Sequence, residues 1–264
     1  MRLCETNFVD YWKAACDSEN AEYREEHGAT FAYTGIQQEI FNVVLKTEFT
    51  EANAESATDA VIEFFKARRV PLIWYTGLLC TPKDMRMRLE ARGHPHDYDL
   101  TAMAIDLESM NRNFAKPEGL VVKEVMTSAE SKKWIECLAA SWESPKELVP
   151  WMMANPCYNV ELTPKSGKPL PRKMFVGLID DEPVGTVMLN WKDGLIGLQT
   201  VGTSKSVRYK GIGSAVVSTA LNDARAMGFG FAVVLSTVEG VKLYSKLGFK
   251  TYGKLPEHSM HFER

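Results

Sequence analysis

Along the chain the spacing of apolar residues changes often enough to mark out elements before any single residue is weighed. Ala57, Ala60, Val61, Phe64 and Phe65 recur at helical spacing and predict a helix over residues 57–69, with Ser56 placed to cap its start. Pro71-Leu-Ile-Trp-Tyr75 predicts a short buried strand. In Thr81-Pro82-Lys-Asp84 a threonine can cap, a proline suits the first helical position, and an acid favours the first turn. Met85 and Leu89 give that helix its buried side, Gly93 ends it, and residues 100–107 read as another strand. The first 50 or so residues show no comparable pattern.

Between Asn113 and Gly119, Lys116-Pro-Glu-Gly119 interrupts any regular element and predicts a boundary between domains at 1–115 and 119–264. Residues 120–125 begin a new strand, and Trp134, Ile135, Leu138, Ala139 and Trp142 mark a helix over 131–143 whose aromatic stripe fits core packing. Residues 144–172 place Pro145, Pro150, Pro156, Pro164, Pro169 and Pro171 among Trp151, Met152, Met153 and Tyr158, which predicts a short helix and a long loop. Three apolar runs, 174–179, 183–191 and 195–201, are separated by Asp180-Asp-Glu182 and Lys192-Asp-Gly194, the turn clusters of an antiparallel meander. A helix over 213–227 follows, with Ala215, Val216, Thr219, Ala220 and Met227 toward the sheet and Asn222, Asp223 and Arg225 toward water, and then a strand over 231–235.

At 264 residues and 45% apolar content the chain can bury a real core, as one large domain or two ordinary ones. A formal charge of -3 gives no general basis for holding nucleic acid or an anionic membrane, so any anion it binds must be met locally. The five cysteines, Cys4, Cys16, Cys80, Cys137 and Cys157, are odd in number and widely spaced, and they read as reduced core thiols of a cytoplasmic protein. Residues 1–15 contain Glu5, Asp10 and Lys13 and lack an apolar signal-peptide core, and no run approaches the roughly 18 apolar residues of a membrane span. His94, His96, His258 and His261 form two short pairs without a carboxylate or cysteine in register and read as surface residues, so no metal is assigned.

The candidate chemistry lies in Gln199–Ser214, where Arg208-Tyr209-Lys210-Gly211-Ile212-Gly213 opens a helix. A helix start exposes unpaired N–H groups and partial positive charge, and glycines let a pyrophosphate approach them, with Arg208 and Lys210 adding full charge. A dinucleotide fingerprint would need a third glycine where Val216 stands, and no nucleoside triphosphatase loop is present. Arg-x-x-Gly-x-Gly, then the strand Phe231–Leu235, then Gly240-Val-Lys-Leu-Tyr244-Ser-Lys-Leu-Gly-Phe249, resembles the acyl-CoA-binding signature of the GCN5-related N-acetyltransferases (GNAT).

That resemblance implies an α/β (α+β) fold with a mixed, mostly antiparallel central sheet flanked by helices. It also implies acetyl-CoA as acyl donor and an amine-bearing acceptor, whether small molecule, peptide or protein. The strand ending near Val201 would part from Phe231–Leu235 and admit the pantetheine arm. Backbone groups of Val201, Gly202 and Thr203 would meet its amides, and those of Arg208, Tyr209, Lys210, Gly211, Ile212, Gly213 and Ser214 its pyrophosphate. Tyr244 matches the family tyrosine beside the CoA sulfur, a phenol protonated at neutral pH that would supply the proton to the departing thiolate; packing on Phe249 is the structural alternative, and the register of Leu243 and Leu247-Gly-Phe249 favours the catalytic role. Thr237 stands where relatives carry an asparagine or serine that touches the cofactor. Where many members place a basic glutamate this chain has Gln199, which cannot accept a proton; Glu161, Glu239 or ordered water would have to serve, and each carboxylate reads as a surface group, so none is assigned as base. Residues 144–172 would line the acceptor site or simply cover the sheet edge. The N-terminal half reads as a degenerate repeat of the same fold, since no Arg-x-x-Gly-x-Gly lies between residues 41 and 57, and a separate helical cap domain fits the same pattern. Two functions remain open: an N-acetyltransferase, or a CoA-sensing module that binds without turnover.

Overall fold

The computed structural model describes residues 1–111 and 117–262, so Asn113–Lys116 of the expected boundary lie outside the described residues. The first half runs α1 (Arg2–Ala15), β1 (Glu22–Glu26), β2 (Ala29–Tyr33), β3 (Val43–Thr47), α2 (Ala54–Arg68), β4 (Leu72–Tyr75), α3 (Met85–Ala91) and β5 (Tyr98–Asp106). The second runs β6 (Val121–Glu124), α4 (Ser128–Trp142), α5 (Leu148–Met153), β7 (Arg172–Ile179), β8 (Glu182–Lys192), β9 (Leu195–Thr203), α6 (Ile212–Ala226), β10 (Phe231–Ser236), α7 (Val238–Leu247) and β11 (Lys250–Met260). Each half thus contains a three-strand meander followed by helix, strand, helix, strand.

All of these strands join one sheet in the order β1-β2-β3-β4-β11-β5-β10-β9-β8-β7-β6. The order shows an exchange at the centre. The last strand of the first half, β5, lies against β10, and the last strand of the second half, β11, lies between β4 and β5. Pairing is antiparallel except between β3 and β4 and between β9 and β10. On β4 the alternating side chains of Ile73 and Tyr75 enter one core while Leu72 and Trp74 enter another, so the two faces of the sheet are both covered. One face carries α1, α4 and α5 around Trp134, Leu138 and Met188. The other carries α6 and α7 around Val187 and Leu189, and α2 and α3 around Phe65 and Leu89.

Local chemistry explains the element boundaries. Thr127 and Glu130 form a reciprocal capping box at the start of α4, a signal absent from the sequence reading above. The start of α2 is set differently from expectation: Ser56 lies inside the helix, its hydroxyl donating to the Asn53 carbonyl. Thr81 does not cap α3, because its backbone and side chain are bonded to Thr47. On α6, Thr219 and Met227 are exposed while Val217, Leu221 and Ala224 are buried, which turns the expected face toward the second core. All five cysteines are buried free thiols. His258, expected at the surface, is fully buried on β11, with Nδ1 against the His94 carbonyl at 2.9 Å and Nε2 3.2 Å from the Thr76 hydroxyl.

The exchanged strand also buries a carboxyl group. Glu257 of β11 lies in register with Tyr75 on one side and Tyr98 on the other, and it is 7% exposed. Burial, followed by the negative charge of Asp97, pushes its pKa up to about 7, against a smaller opposing effect of Tyr75. A folded-state pKa above the ordinary carboxyl value means that folding takes up a proton between about pH 4.5 and 7, so stability falls as pH rises through that window. Glu257→Gln should remove that loss. Thermal melts of the variant and the parent should agree near pH 4, and at pH 8 the variant should be more stable by on the order of 3 kcal/mol; equal melting curves at pH 8 would show that Glu257 is not the group.

Candidate active site

Two parallel strand pairs in this sheet separate after a short contact. β9 and β10 are paired only at Ile196–Ala232 and Gly197–Val233. Beyond Gly197, β9 acquires an extra residue relative to β8, between the pairs Met188–Gln199 and Thr186–Gly202, and Thr200 sits there with φ 50°. The bulge is held by the Thr186 hydroxyl, which donates to the Thr200 carbonyl at 3.1 Å. Thr200 Oγ1 is itself buried without a partner among the described residues. The strands therefore diverge over Gln199–Thr203 and Val234–Ser236, leaving backbone groups on both edges for an inserted extended chain.

The expected backbone contacts are partly engaged within the protein. The Trp142 indole donates to the Val201 carbonyl at 3.3 Å, and Arg208 Nε donates to the Thr203 carbonyl at 3.1 Å. A carbonyl has a second lone pair, so neither bond closes the site. The structure gives Arg208 a different role from the expected loose cation: Nη2 also donates to the Ser141 carbonyl at 2.7 Å, tying the loop to the last turn of α4. Lys205 pairs with Glu143. Lys210 is exposed and has no ion pair among the described residues, and Tyr209 is fully exposed with φ 64°.

At the head of α6 the two glycines do different work. Gly211 has φ 86°, a conformation that a side chain disfavours. Gly213 lets the neighbours close in, since a Cβ there would come within 2.7 Å of Leu243 Cδ1 and 3.0 Å of Thr203 Oγ1 and would force those side chains to shift. No side chain of the described residues caps α6. Ala215 donates to the Gly211 carbonyl, which makes it the first residue in the helical ladder, so the amides of Ile212, Gly213 and Ser214 precede that ladder. The combination of an uncapped helix start, a parted strand pair and a buried unpartnered hydroxyl at the bulge fits an extended ligand ending in a diphosphate.

α7 closes the far side. Thr237 accepts from the Gly240 amide at 3.2 Å and so caps this helix, and Tyr98 of β5 receives the Val238 amide at 2.8 Å, so the first half of the chain braces the site. Tyr244 is 5% exposed, its ring 5.4 Å from that of Phe249, and its hydroxyl makes no hydrogen bond among the described residues. Burial raises its pKa, which keeps the phenol protonated and able to donate. Gln199 Nε2 donates to Asn7 Oδ1 at 3.1 Å, and a Cβ at Gly197 would fall 1.8 Å from that same oxygen, so α1 lies directly over the place where β9 leaves β10. Glu161 and Glu239 are exposed.

The corresponding place in the first half is filled by the chain itself. β3 and β4 pair at Val43–Ile73 and Val44–Trp74, and past them Thr81 donates to the Thr47 carbonyl at 2.8 Å while Phe49 donates to the Thr81 carbonyl at 3.2 Å. Glu48 and Thr81 form a parallel bridge. The start of α2 is acidic: Arg88 binds Glu51 and Glu55 at 2.6 and 2.5 Å, and Arg92 binds Glu55 at 2.5 Å. Occupied strand edges and carboxylates at the helix start do not fit a diphosphate.

Residues 138–249 match the model of the Acetyltransferase (GNAT) family. No curated protein sequence matches the chain. Among solved structures, a GCN5-related N-acetyltransferase from Kribbella flavida superimposes with a TM-score of 0.69 at 14% identity, over 97% of this chain and 95% of that one. A GCN5-related N-acetyltransferase from Sphaerobacter thermophilus gives 0.64 at 14% identity over 90% and 82% of the two chains. A tandem GNAT protein from the clavulanic acid biosynthesis pathway gives 0.60 at 12% identity over 99% and 95%. At such identities the likeness is one of fold. Residues 138–249 thus match the GNAT acetyltransferase family model, within a fold shared with GCN5-related N-acetyltransferases along nearly the whole length of the chain.

Proposed function

We propose that the protein is an N-acetyltransferase that moves an acetyl group from acetyl-CoA to a primary amine, and that residues 119–264 bind the donor while residues 1–115 form a degenerate GNAT-like half that does not. The observation that supports this most directly is the contrast between the two parted strand pairs: one leads to an uncapped helix start, the other is filled by Thr81 and flanked by Glu51 and Glu55. With five buried thiols and no helix among the described residues long and apolar enough to cross a membrane, we place the reaction in the cytoplasm.

In this reading the edges of Val201, Gly202 and Thr203 receive the pantetheine amides, and the amides of residues 208–214 receive the diphosphate, with Lys210 adding charge. Tyr244 donates a proton to the departing thiolate, and Thr237 positions it by fixing the start of α7. Acetyl-CoA supplies the activated acyl carbon; the chain orients it and excludes water. Gln199 cannot take the proton of the attacking amine, so the amine arrives neutral or loses its proton to water. That same residue favours a second reading, a CoA-sensing or partner-binding module without turnover.

Calorimetry of the full chain should show one acetyl-CoA bound per chain. Lys210→Glu places a carboxylate on the exposed loop beside the head of α6, where it repels the diphosphate and leaves Gly211 in its conformation. It should weaken binding at least tenfold while changing Tm by only a few degrees; two bound molecules per chain, or unchanged affinity, would refute the assignment.

Tyr244→Phe should lower kcat between ten- and a hundredfold with less than a threefold change in the KM for acetyl-CoA, and it should not lower Tm, since the phenyl ring keeps its packing on Phe249. CoA release measured over a panel of amines decides between the readings: tight binding with no release from any amine selects the sensor.

A further inference from the structure

A cavity of about 470 Å³ lies on the face that carries α1, between the second half of that helix, the end of β8 and the loop running from Cys157 to Arg172. Two polar side chains in its wall have unmet hydrogen-bonding capacity. Asn190 is 6% exposed and, among the described residues, its Oδ1 has no partner and the buried Nε of Arg172 has none either. They are cross-strand partners in register on β8 and β7, so the two groups stand side by side. An unpaired buried amide oxygen and an unpaired guanidinium N–H each carry a desolvation cost that a fold rarely keeps without a use.

Their chemistry is specific. Arg172 Nη2 is engaged by the Pro156 and Asn159 carbonyls, and no carboxylate of the described residues lies within ion-pair distance of the guanidinium. Burial holds its pKa below the usual arginine value, as expected of a cation lacking a counter-ion. The two carboxylates on the wall are committed elsewhere: Asp10 pairs with Lys192 at 2.7 Å, and Asp17 receives the amide and hydroxyl of Ser166. What is missing is an anion for Arg172 and an N–H donor for Asn190. Tyr11, Met188, Leu170 and Ala14 make much of the remaining wall apolar, and Lys13, Lys192 and Ser166 line it too.

The cavity also adjoins the proposed site of transfer. Asn190 lies in register with Gly197, the last residue of β9 paired with β10, and Met188 lies in register with Gln199, the first beyond it. One strand spacing, about 4.8 Å, separates Asn190 from the point where the strands part. The hydrogen bond between Asn7 and Gln199 stands at that point on the same face.

We propose that this cavity holds the acceptor, and that the acceptor is a small amino carboxylate with an apolar side chain: its carboxylate on Arg172, its amine on Asn190 Oδ1, its side chain beside Tyr11 and Met188. This rests on the acyl-transfer reading above. In the reaction the amine nitrogen forms a bond to the acetyl carbon, the carbon–sulfur bond of the thioester breaks, the thiolate takes a proton, and the nitrogen releases one to solvent.

Calorimetry on the full chain without acetyl-CoA should show leucine, methionine or phenylalanine binding at least tenfold more tightly than isoamylamine, 3-(methylthio)propylamine or 2-phenylethylamine, the matched amines without a carboxylate. Asn190→Leu removes a buried unpaired oxygen, so Tm should hold or rise while affinity for the amino acid falls at least fivefold and its KM as acceptor rises in step. Arg172→Gln should weaken binding at least tenfold. Should that variant disturb the loop at Pro156–Asn159, the Asn190 variant still decides. Equal binding of acids and matched amines, or full binding by Asn190→Leu, overturns the site. Binding of acetyl-CoA with acetylation of other amines only, unaffected by Asn190→Leu, overturns the acceptor assignment but leaves the transferase reading standing. Failure to bind acetyl-CoA removes that reading, and the acceptor role with it.

Discussion

A buried sheet cannot leave a row of backbone amides and carbonyls unpaired, and this protein meets that constraint twice. Each of its two parallel strand pairs makes a brief contact and then separates, at Val44–Trp74 and at Gly197–Val233. The first opening is closed by the chain's own residues, with Thr81 bonded to Thr47 and Phe49. The second carries a bulge at Thr200 and remains available to something else. The same geometric problem is solved internally in one half and left open in the other. Conflicting electrostatics reinforce the difference, because acids and arginines lock the head of α2 while the head of α6 has neither cap nor carboxylate among the described residues.

The first half nevertheless supports the second at several points. Asn7 of α1 covers Gly197 and holds Gln199; Tyr98 of β5 takes the Val238 amide at the start of α7. Glu5, buried on the same helix, accepts from the amides of Leu78 and Leu79, which fixes α1 against the segment that fills the first opening. The filled opening, the helix and the open one are therefore linked through a short series of hydrogen bonds.

Much of this could be read from residue order. The meander over β7, β8 and β9, the long helix after Gly211 and the strand of Phe231 were visible in their periodicity, and the paired motifs around Gly211 and Tyr244 pointed to the fold. β11 was not visible, because Gly253 and Pro256 interrupt its pattern and proline argues against an interior strand. Its burial of Glu257 and His258 was hidden for the same reason. Nor could residues 1–50 reveal that α1 crosses to the other half, since Asn7 and Glu5 are polar residues buried by specific partners, which an apolar pattern does not register. Arg172 and Asn190 escaped notice because their meaning lies in partners they lack, a property of the folded wall rather than of spacing.

The exchange of β5 and β11 has a consequence for how the molecule comes into being. On the ribosome β4 and β5 emerge long before β11, yet the place between them belongs to the last of the described strands, and the outer edge of β5 waits for β10. Until β11 emerges, the facing edges of β4 and β5 have no neighbour, a state that invites pairing with other molecules and gives folding a high contact order. The eleven residues of β11 act as a key inserted after the lock is built, so their arrival and closure of the sheet are a single event.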